Sequence, residues 1–438
     1  CIYGAEELCT NLFESLARDK VLNNVKRFYS DLSAHTRLRH EKYGDTAYIL
    51  EPDLKEGRGG LRDYHCILWT ESVLTAHGNA PRLSGVLDES DRRDLSRATD
   101  SILRIRHALH EISGRKNDRL FLEYQEPVAT SLGIEDSPFE SSAEVLMKHY
   151  HRSALTIQSL SDVFLSCVEN ALGGGTKRTV RRLDSDFELS AGQISFTPGA
   201  VLRERPVLVF RLFRFMGLHN AVISLSARAA VKHAPEAIDL TRDDPQATEC
   251  FRSILRMVTV KHVLTAMHEL GVLERFIPEF EAIRGRFQPD AYHTYTTDLH
   301  SIITVSELRK LESEEQDLFS RVDDPDVLSI SAFLHDIGKG FGRPHATIGA
   351  PVASVIARRL GMSDDRAELV EFLVHNHLLL ADLAVKRDLS EERVTMECAR
   401  IVKEPVRLIM LYLLSMADSS ATGPRASNQW RSMLSREL

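Results

Sequence analysis

His335 and Asp336 are adjacent in the run VLSISAFLHDIGKGFGRPHATIG, with Lys339 three residues on. An imidazole and a carboxylate side by side at the end of an apolar helix offer a borderline and a hard ligand to one divalent cation, or one ligand to each of a pair. Such a couple is also a common hydrogen-bonded pair inside a buried helix, so its meaning depends on company. Four more ligand-type residues rise from apolar surroundings: His300 in TTDLHSIITVSELRKL, His345 after the loop GFGRP, His377 at the end of AELVEFLVHNH and Asp418 closing VRLIMLYLLSMAD. A carboxylate at the end of so hydrophobic a run is costly to bury unless a positive charge meets it. Six nitrogen and oxygen ligands with no thiolate suit Mg²⁺, Mn²⁺, Fe or Zn²⁺, and they suffice for two ions in contact, which bring the pKa of a shared water toward neutrality.

The elements that must deliver these groups are helices. Leu299, Ile302, Ile303, Leu308 and Leu311 form a stripe at helical spacing around His300. His375 lies two residues before His377, so the two cannot share a helix face and only one of them serves as a ligand. His293 could line a pocket or cap a helix. Residues 5–40 read as one or two helices, AYIL (47–50) as a short edge strand, Leu61 onward as a helix, and 91–115 and 141–172 as long amphipathic helices. Gly173, Gly174 and Gly175 break the pattern, FELSAGQISF (187–196) reads as a β-hairpin, and helices resume, which puts a domain seam near 173–200. The expected fold is mainly α.

A second candidate is the glycine-rich string before Leu61. Gly57, Gly59 and Gly60 allow close backbone approach at a helix start, so N–H groups there could cradle a phosphate, with Lys55, Arg58 and Arg62 beside them. No Gly-Lys-Ser/Thr follows, so this is not a Walker loop. The competing reading is a tight turn whose basic residues pair with Glu51, Asp53, Glu56 and Asp63.

Bulk properties select little. The 438 residues are 43% hydrophobic, enough for two or three domains. A net charge of −8, from 63 acidic and 55 basic residues, argues against general nucleic-acid binding. The cysteines at 1, 9, 66, 167, 250 and 398 form no C-x-x-C pair and are expected to be reduced structural thiols. No charge-free apolar run reaches transmembrane length, so no membrane role is expected.

His300, His335-Asp336 and Asp418 resemble the H…HD…D pattern of the HD phosphohydrolase superfamily, and His345 with His377 resembles its two-metal branch. YHTYTTDLH (292–300), HDIGKG (335–340), HATIGAPVA (345–353), FLVHNHLLL (372–380), VKRDLS (385–390), ADSSATGP (417–424) with Trp430, and above all EPDLKEGRGGLRDYHCILW (51–69) resemble the bifunctional protein-PII uridylyltransferase/uridylyl-removing enzymes of bacterial nitrogen regulation. The resemblance implies four regions: a C-terminal remnant of a nucleotidyltransferase domain (1–50), a helical uridylyltransferase-associated domain (51–175), a linker with the hairpin and helices (176–250) and an all-α HD domain (251–438). The transferase turn with its Asp-x-Asp pair is missing, and so are the C-terminal ACT domains, so the expectation is a middle fragment that keeps uridylyl removal and lacks transfer.

The same resemblance implies His300, His335, Asp336, His345, His377 and Asp418 as metal ligands, Asp336 bridging two ions, Mn²⁺ or Mg²⁺ with Fe as a further option. Asp336 and Lys339 become catalytic, with Lys339 and Arg343 on the substrate phosphate. It further implies a PII signal protein bearing a uridylylated tyrosine as partner, UMP as product, cytoplasmic location, and a role for the 55–62 loop beside the transferase nucleotide. Two alternatives stay open: a phosphodiesterase of a free or cyclic nucleotide, which HDIGK also resembles, and a non-catalytic regulatory HD domain.

Overall fold

The computed structural model describes residue 21 and residues 24–44, 46–77, 87–136, 141–172, 180–286, 295–341, 344–386 and 392–422. The chain divides into two units, Cys1–Lys177 and Arg178–Leu438. The first is built from α1 (Val25–Tyr43), α2 (Leu61–His77), α3 (Glu89–Ser113), α4 (Leu122–Ser131) and α5 (Ser142–Leu172). The helix expected at 91–115 is α3 and the one at 141–172 is α5. Asp88 starts α3 by exchanging side-chain and backbone hydrogen bonds with Asp91, and Gly114, at φ 61°, ends it in the left-handed conformation. Ile102, Ile105 and Leu109 of α3 bury one face against Met147, Tyr150 and Ile157 of α5, and Tyr29 of α1 donates its hydroxyl to the Leu165 carbonyl at 2.6 Å. Residues 47–50 are irregular rather than a ladder strand; Ala47, Tyr48 and Leu50 are nonetheless buried.

The second unit opens on a four-stranded sheet of β1 (Arg181–Arg182), β2 (Phe187–Ser190), β3 (Gln193–Phe196) and β4 (Val222–Ile223), in that order. The expected hairpin is β2–β3, paired from Phe187 opposite Phe196 to Ser190 opposite Gln193. Its two turn residues, Ala191 at φ 49° and Gly192 at φ 74°, adopt the left-handed conformation that matches strand twist. Asp186 anchors the hairpin by ion pairs with Arg205, just before the following helix, and Arg211 within it.

Helices make up the rest: α6 (Leu208–Leu218), α7 (Leu225–Lys232), α8 (Pro235–Asp239), α9 (Pro245–Leu255), α10 (Val260–Glu269), α11 (Val272–Phe276), α12 (Thr297–Glu314), α13 (Gln316–Phe319), α14 (Pro325–Leu334), α15 (His345–Arg359), α16 (Asp364–Asn376), α17 (Leu379–Lys386), α18 (Glu392–Val402) and α19 (Pro405–Thr422). The unit is organised around α14, in which every residue from Asp326 to Leu334 is buried. A helix apolar on all sides has no solvent face and must be wrapped; α12, α16 and α19 wrap it. Asp324 caps its start, accepting from the Val327 N–H, and Pro325 occupies the first turn, where its missing N–H is harmless. Phe333 stacks on Phe280 at 4.9 Å between ring centres and meets Phe251 edge-on at 5.8 Å. The fully buried helix therefore ends in a fixed place, and His335 and Asp336 are the residues that follow it.

Candidate metal centre

Five helical segments bring the six sequence-expected ligand residues together. His300 comes from α12, His335 and Asp336 from the end of α14, His345 from the first position of α15, His377 from the end of α16 and Asp418 from α19. They fall into two groups, His300 with His335 and Asp418, and Asp336 with His345 and His377, each group's ligand atoms lying within 4.8 Å of one another. His300 Nε2 is 2.8 Å from Asp418 Oδ1, and His335 Nε2 is 3.6 Å from the same oxygen. Asp336 faces both groups: Oδ2 lies 3.4 Å from His335 Nε2 and 3.8 Å from His300 Nε2, and Oδ1 lies 3.6 Å from His345 Nε2 and 3.8 Å from His377 Nε2.

The local chain explains why these rings point inward. His335 Nδ1 lies 2.9 Å from the Ala332 carbonyl and His377 Nδ1 2.7 Å from the Val374 carbonyl. A carbonyl only accepts, so Nδ1 carries the hydrogen in both and Nε2 is presented to the centre, the usual way a ligating histidine is oriented from behind. His335 Nε2 is buried with no hydrogen-bond partner. An orphaned ring nitrogen among carboxylate oxygens, with only nitrogen and oxygen donors around it, fits a divalent cation. His345 and Asp418 form the open side, their side chains 19% and 22% exposed.

Electrostatics show how strongly this site calls for positive charge. Burial works against protonating His335, yet the carboxylates of Asp336 and Asp418 overcome it and raise its pKa to about 10. Burial, helped by the charge on His335, lowers His377 to about 4, and burial lowers His300 against the pull of Asp418. Burial opposes ionisation of Asp336 and Asp418 as well; Lys339 and His335 outweigh it for the first and His335 and His300 for the second, so both stay well below the usual carboxylate range. Lys339 Nζ lies 2.6 Å from Asp336 Oδ2 and is largely buried. It is held against the couple by the tight turn Ile337–Phe341 rather than pointing to solvent.

That turn depends on glycine. A Cβ on Gly338 would stand 1.9 Å from the His345 carbonyl oxygen and 2.6 Å from the Gly349 nitrogen, so only glycine lets the turn lie flat on the start of α15. Pro351 sits inside α15 and donates no hydrogen bond back into the turn that carries His345.

Other expected residues are placed differently. His375 is exposed while His377 is buried, as their spacing requires. Arg343 and His293 lie outside the described residues. In the glycine-rich loop, each basic residue has an acidic partner: Arg58 with Asp162 at 3.0 Å, Arg62 with Glu56 at 2.8 Å and Lys55 with Glu56 at 3.7 Å. Gly59, at φ 75°, passes so close to α5 that a Cβ would stand 2.2 Å from the Ala154 carbonyl oxygen. Buried Asp63 ties the loop together, accepting from the Gly59 N–H at 2.7 Å, from Arg39, and from His40 at 2.9 Å. Sequence reasoning missed one cluster, buried His268 between Glu274 and Asp298. Only the position of Asp298, two residues before His300, could have hinted at it.

A wholly helical bundle that gathers a His-Asp couple, outlying histidines and a second aspartate is the arrangement of an HD domain, and the HD-domain family profile matches residues 296–404. Two further profiles match upstream, GlnD PII-uridylyltransferase at 27–165 and Uridylyltransferase GlnD third domain at 187–276. The chain thus belongs to the GlnD uridylyltransferase family, with the HD domain following its uridylyltransferase domains. It is 32% identical over 453 aligned positions, covering 100% of this chain, to the bifunctional uridylyltransferase/uridylyl-removing enzyme of Pseudomonas savastanoi pv. phaseolicola, and 34% identical over 429, covering 95%, to that of Bordetella avium. It spans about half the length of these relatives, 50% in each case. Among the described residues no helix is long and apolar enough to cross a membrane.

Proposed function

We propose that this chain carries the uridylyl-removing centre of a bifunctional PII uridylyltransferase, hydrolysing the phosphodiester that joins UMP to a tyrosine of a PII signal protein in the cytoplasm. The observation that carries the reading is the pair of histidines at each oxygen of Asp336, His300 and His335 at Oδ2 and His345 and His377 at Oδ1. His300, His335 and Asp418 would hold one divalent cation, His345 and His377 a second, with Asp336 between them; Mn²⁺ or Mg²⁺ suits this donor set. Such a pair supplies an ionised water at neutral pH and a Lewis acid for the phosphoryl oxygens.

The chain's own residues supply the rest. The Ala332 and Val374 carbonyls hold the Nδ1 hydrogens of His335 and His377, so both Nε2 atoms face the centre, where a bound cation would replace the proton that Asp336 and Asp418 draw onto His335. Lys339, beside Asp336, is placed to offset negative charge that builds on the phosphate. The leaving phenolate, with a pKa of about 10, needs little help from a general acid. On this reading residues 51–175 are the helical accessory region of the transferase and residues 251–438 the hydrolytic domain. The test is UMP release from uridylylated PII under Mn²⁺ and under Mg²⁺, beside turnover of cyclic dinucleotides and guanosine tetraphosphate. Release of UMP that disappears in Asp336→Ala supports the proposal; activity unchanged in that variant, or turnover of the free nucleotides alone, overturns it.

A further inference from the structure

Three ionisable side chains are buried together behind the metal centre. His268 of α10 has no solvent exposure; its Nε2 lies 3.0 Å from Asp298 Oδ2, and its Nδ1 is paired with Glu274. Asp298, equally buried, also accepts from the Gly285 N–H at 2.7 Å and from the Leu299 N–H at 2.9 Å. Glu274 keeps one buried oxygen without a hydrogen-bond partner, and Arg284 approaches the other at 3.8 Å. Burial opposes a charge on His268, but Glu274 and Asp298 raise its pKa to about 10, so it is a cation between two anions. Apolar residues of the same volume would make a cheaper core, so such a cluster is better explained by what it orients than by what it stabilises.

What it orients is the first turn of α12. Asp298 and His300 are two residues apart, about 200° around a helix, so they leave its opposite sides. Asp298 grips the helix from behind while His300 reaches forward to Asp418 at 2.8 Å. At a side-chain radius of roughly 5–6 Å, turning the helix by about 10° swings the His300 nitrogen by about 1 Å, enough to cost on the order of 100-fold in a catalytic centre. His268 and Glu274 fall in the segment matched by the GlnD third-domain profile, Asp298 and His300 in the segment matched by the HD profile. We infer that His268 and Glu274 form a positioning latch through which the segment matched by the GlnD third-domain profile sets the aim of His300.

This inference rests on the metal-centre reading, and the experiment separates the two. Mn²⁺ affinity is measured by calorimetry on the full chain as parent, D336A, H268Q, H268Q/E274Q and V231A. D336A is expected to abolish binding; parental affinity there takes down the centre and the latch with it. H268Q, which keeps the size and one donor but leaves two carboxylates facing a neutral group, is expected to weaken binding about 10- to 100-fold. H268Q/E274Q then pairs one donor with one carboxylate and is expected to return affinity to within a few-fold of the parent. V231A truncates a buried side chain of α7, which packs on β3 away from the centre, and is expected to lower Tm without moving affinity. Parental affinity in H268Q, no recovery in the double variant, or an equal loss in V231A each overturns the latch while D336A still vouches for the centre.

Discussion

Gly338→Ala tests whether the centre is positioned by backbone against backbone. The added Cβ would stand 1.9 Å from the His345 carbonyl oxygen, where ordinary contact begins near 3.4 Å, so the turn Ile337–Phe341 and the start of α15 must part by about 1.5 Å. No flexible side chain can absorb the clash, because the neighbouring atoms, Gly349 nitrogen and Cα at 2.6 and 2.9 Å, are also main chain. His345 would move away from Asp336, which it now faces at 3.6 Å. Metal-ligand bonds tolerate only about 0.2 Å, so one histidine ligand is lost outright. Overpacking of this kind costs about 1–3 kcal/mol, a fall in Tm of several degrees for a unit of this size. Turnover is expected to drop on the order of 100-fold, and one of two Mn²⁺ equivalents to weaken at least about 10-fold. The assay is calorimetric titration with Mn²⁺ beside thermal melting and UMP release, with His345→Ala as reference. That reference should lose the same equivalent of metal with little change in Tm, since His345 is partly exposed. G338A protein that binds Mn²⁺ as the parent does would refute the reasoning.

Three further outcomes are expected. Lys339→Met should reduce UMP release about 100-fold without weakening Mn²⁺ binding, because it removes a cation that competes for Asp336 at 2.6 Å; parallel activity and binding measurements separate the two. Gly59→Ala, strained at φ 75° and blocked by the Ala154 carbonyl, should destabilise the first unit by about 1–3 kcal/mol in urea melts while leaving Mn²⁺ affinity intact. His268 is raised from 6.5 to about 10 by Glu274 and Asp298 against its burial. Its contribution to stability is therefore complete below pH 6.5 and fades as pH rises towards about 10, so the parent should lose more stability than H268Q across that window in urea melts.

The gathering of the six residues was legible in the sequence because they interrupt apolar runs: His335 and Asp336 end a helix buried on every side, and Asp418 sits inside another largely apolar one. Spacing put His375 and His377 on different helix faces and the family resemblance picked His377; the structure buries His377 and exposes His375. Alternation around Ala191 and Gly192 gave the hairpin its position. The glycine-rich loop was harder to read. Its glycines are compatible with a phosphate cradle and with close packing, and the Ala154 carbonyl that presses on Gly59 lies far along the chain. His268 was invisible for the same reason, since its partners lie six and thirty residues away and no periodicity links them. AYIL had strand-like residues, but Gly44 and Pro52 bracket it too closely for a ladder to grow.

Pro351 makes the ligands of the proposed centre unequal. His335 follows a helix wrapped on every side, whereas His345 opens α15 with a partly exposed side chain, on a turn closed by the Ile348 N–H to the Pro344 carbonyl at 3.2 Å but denied the bond that residue 351 would donate, and resting against Gly338. Of two bound cations, the one held by His345 would be the last to load and the first to leave. At limiting metal the protein would then exist largely with one of the two proposed positions filled, which would make metal supply itself a throttle on any chemistry that needs both.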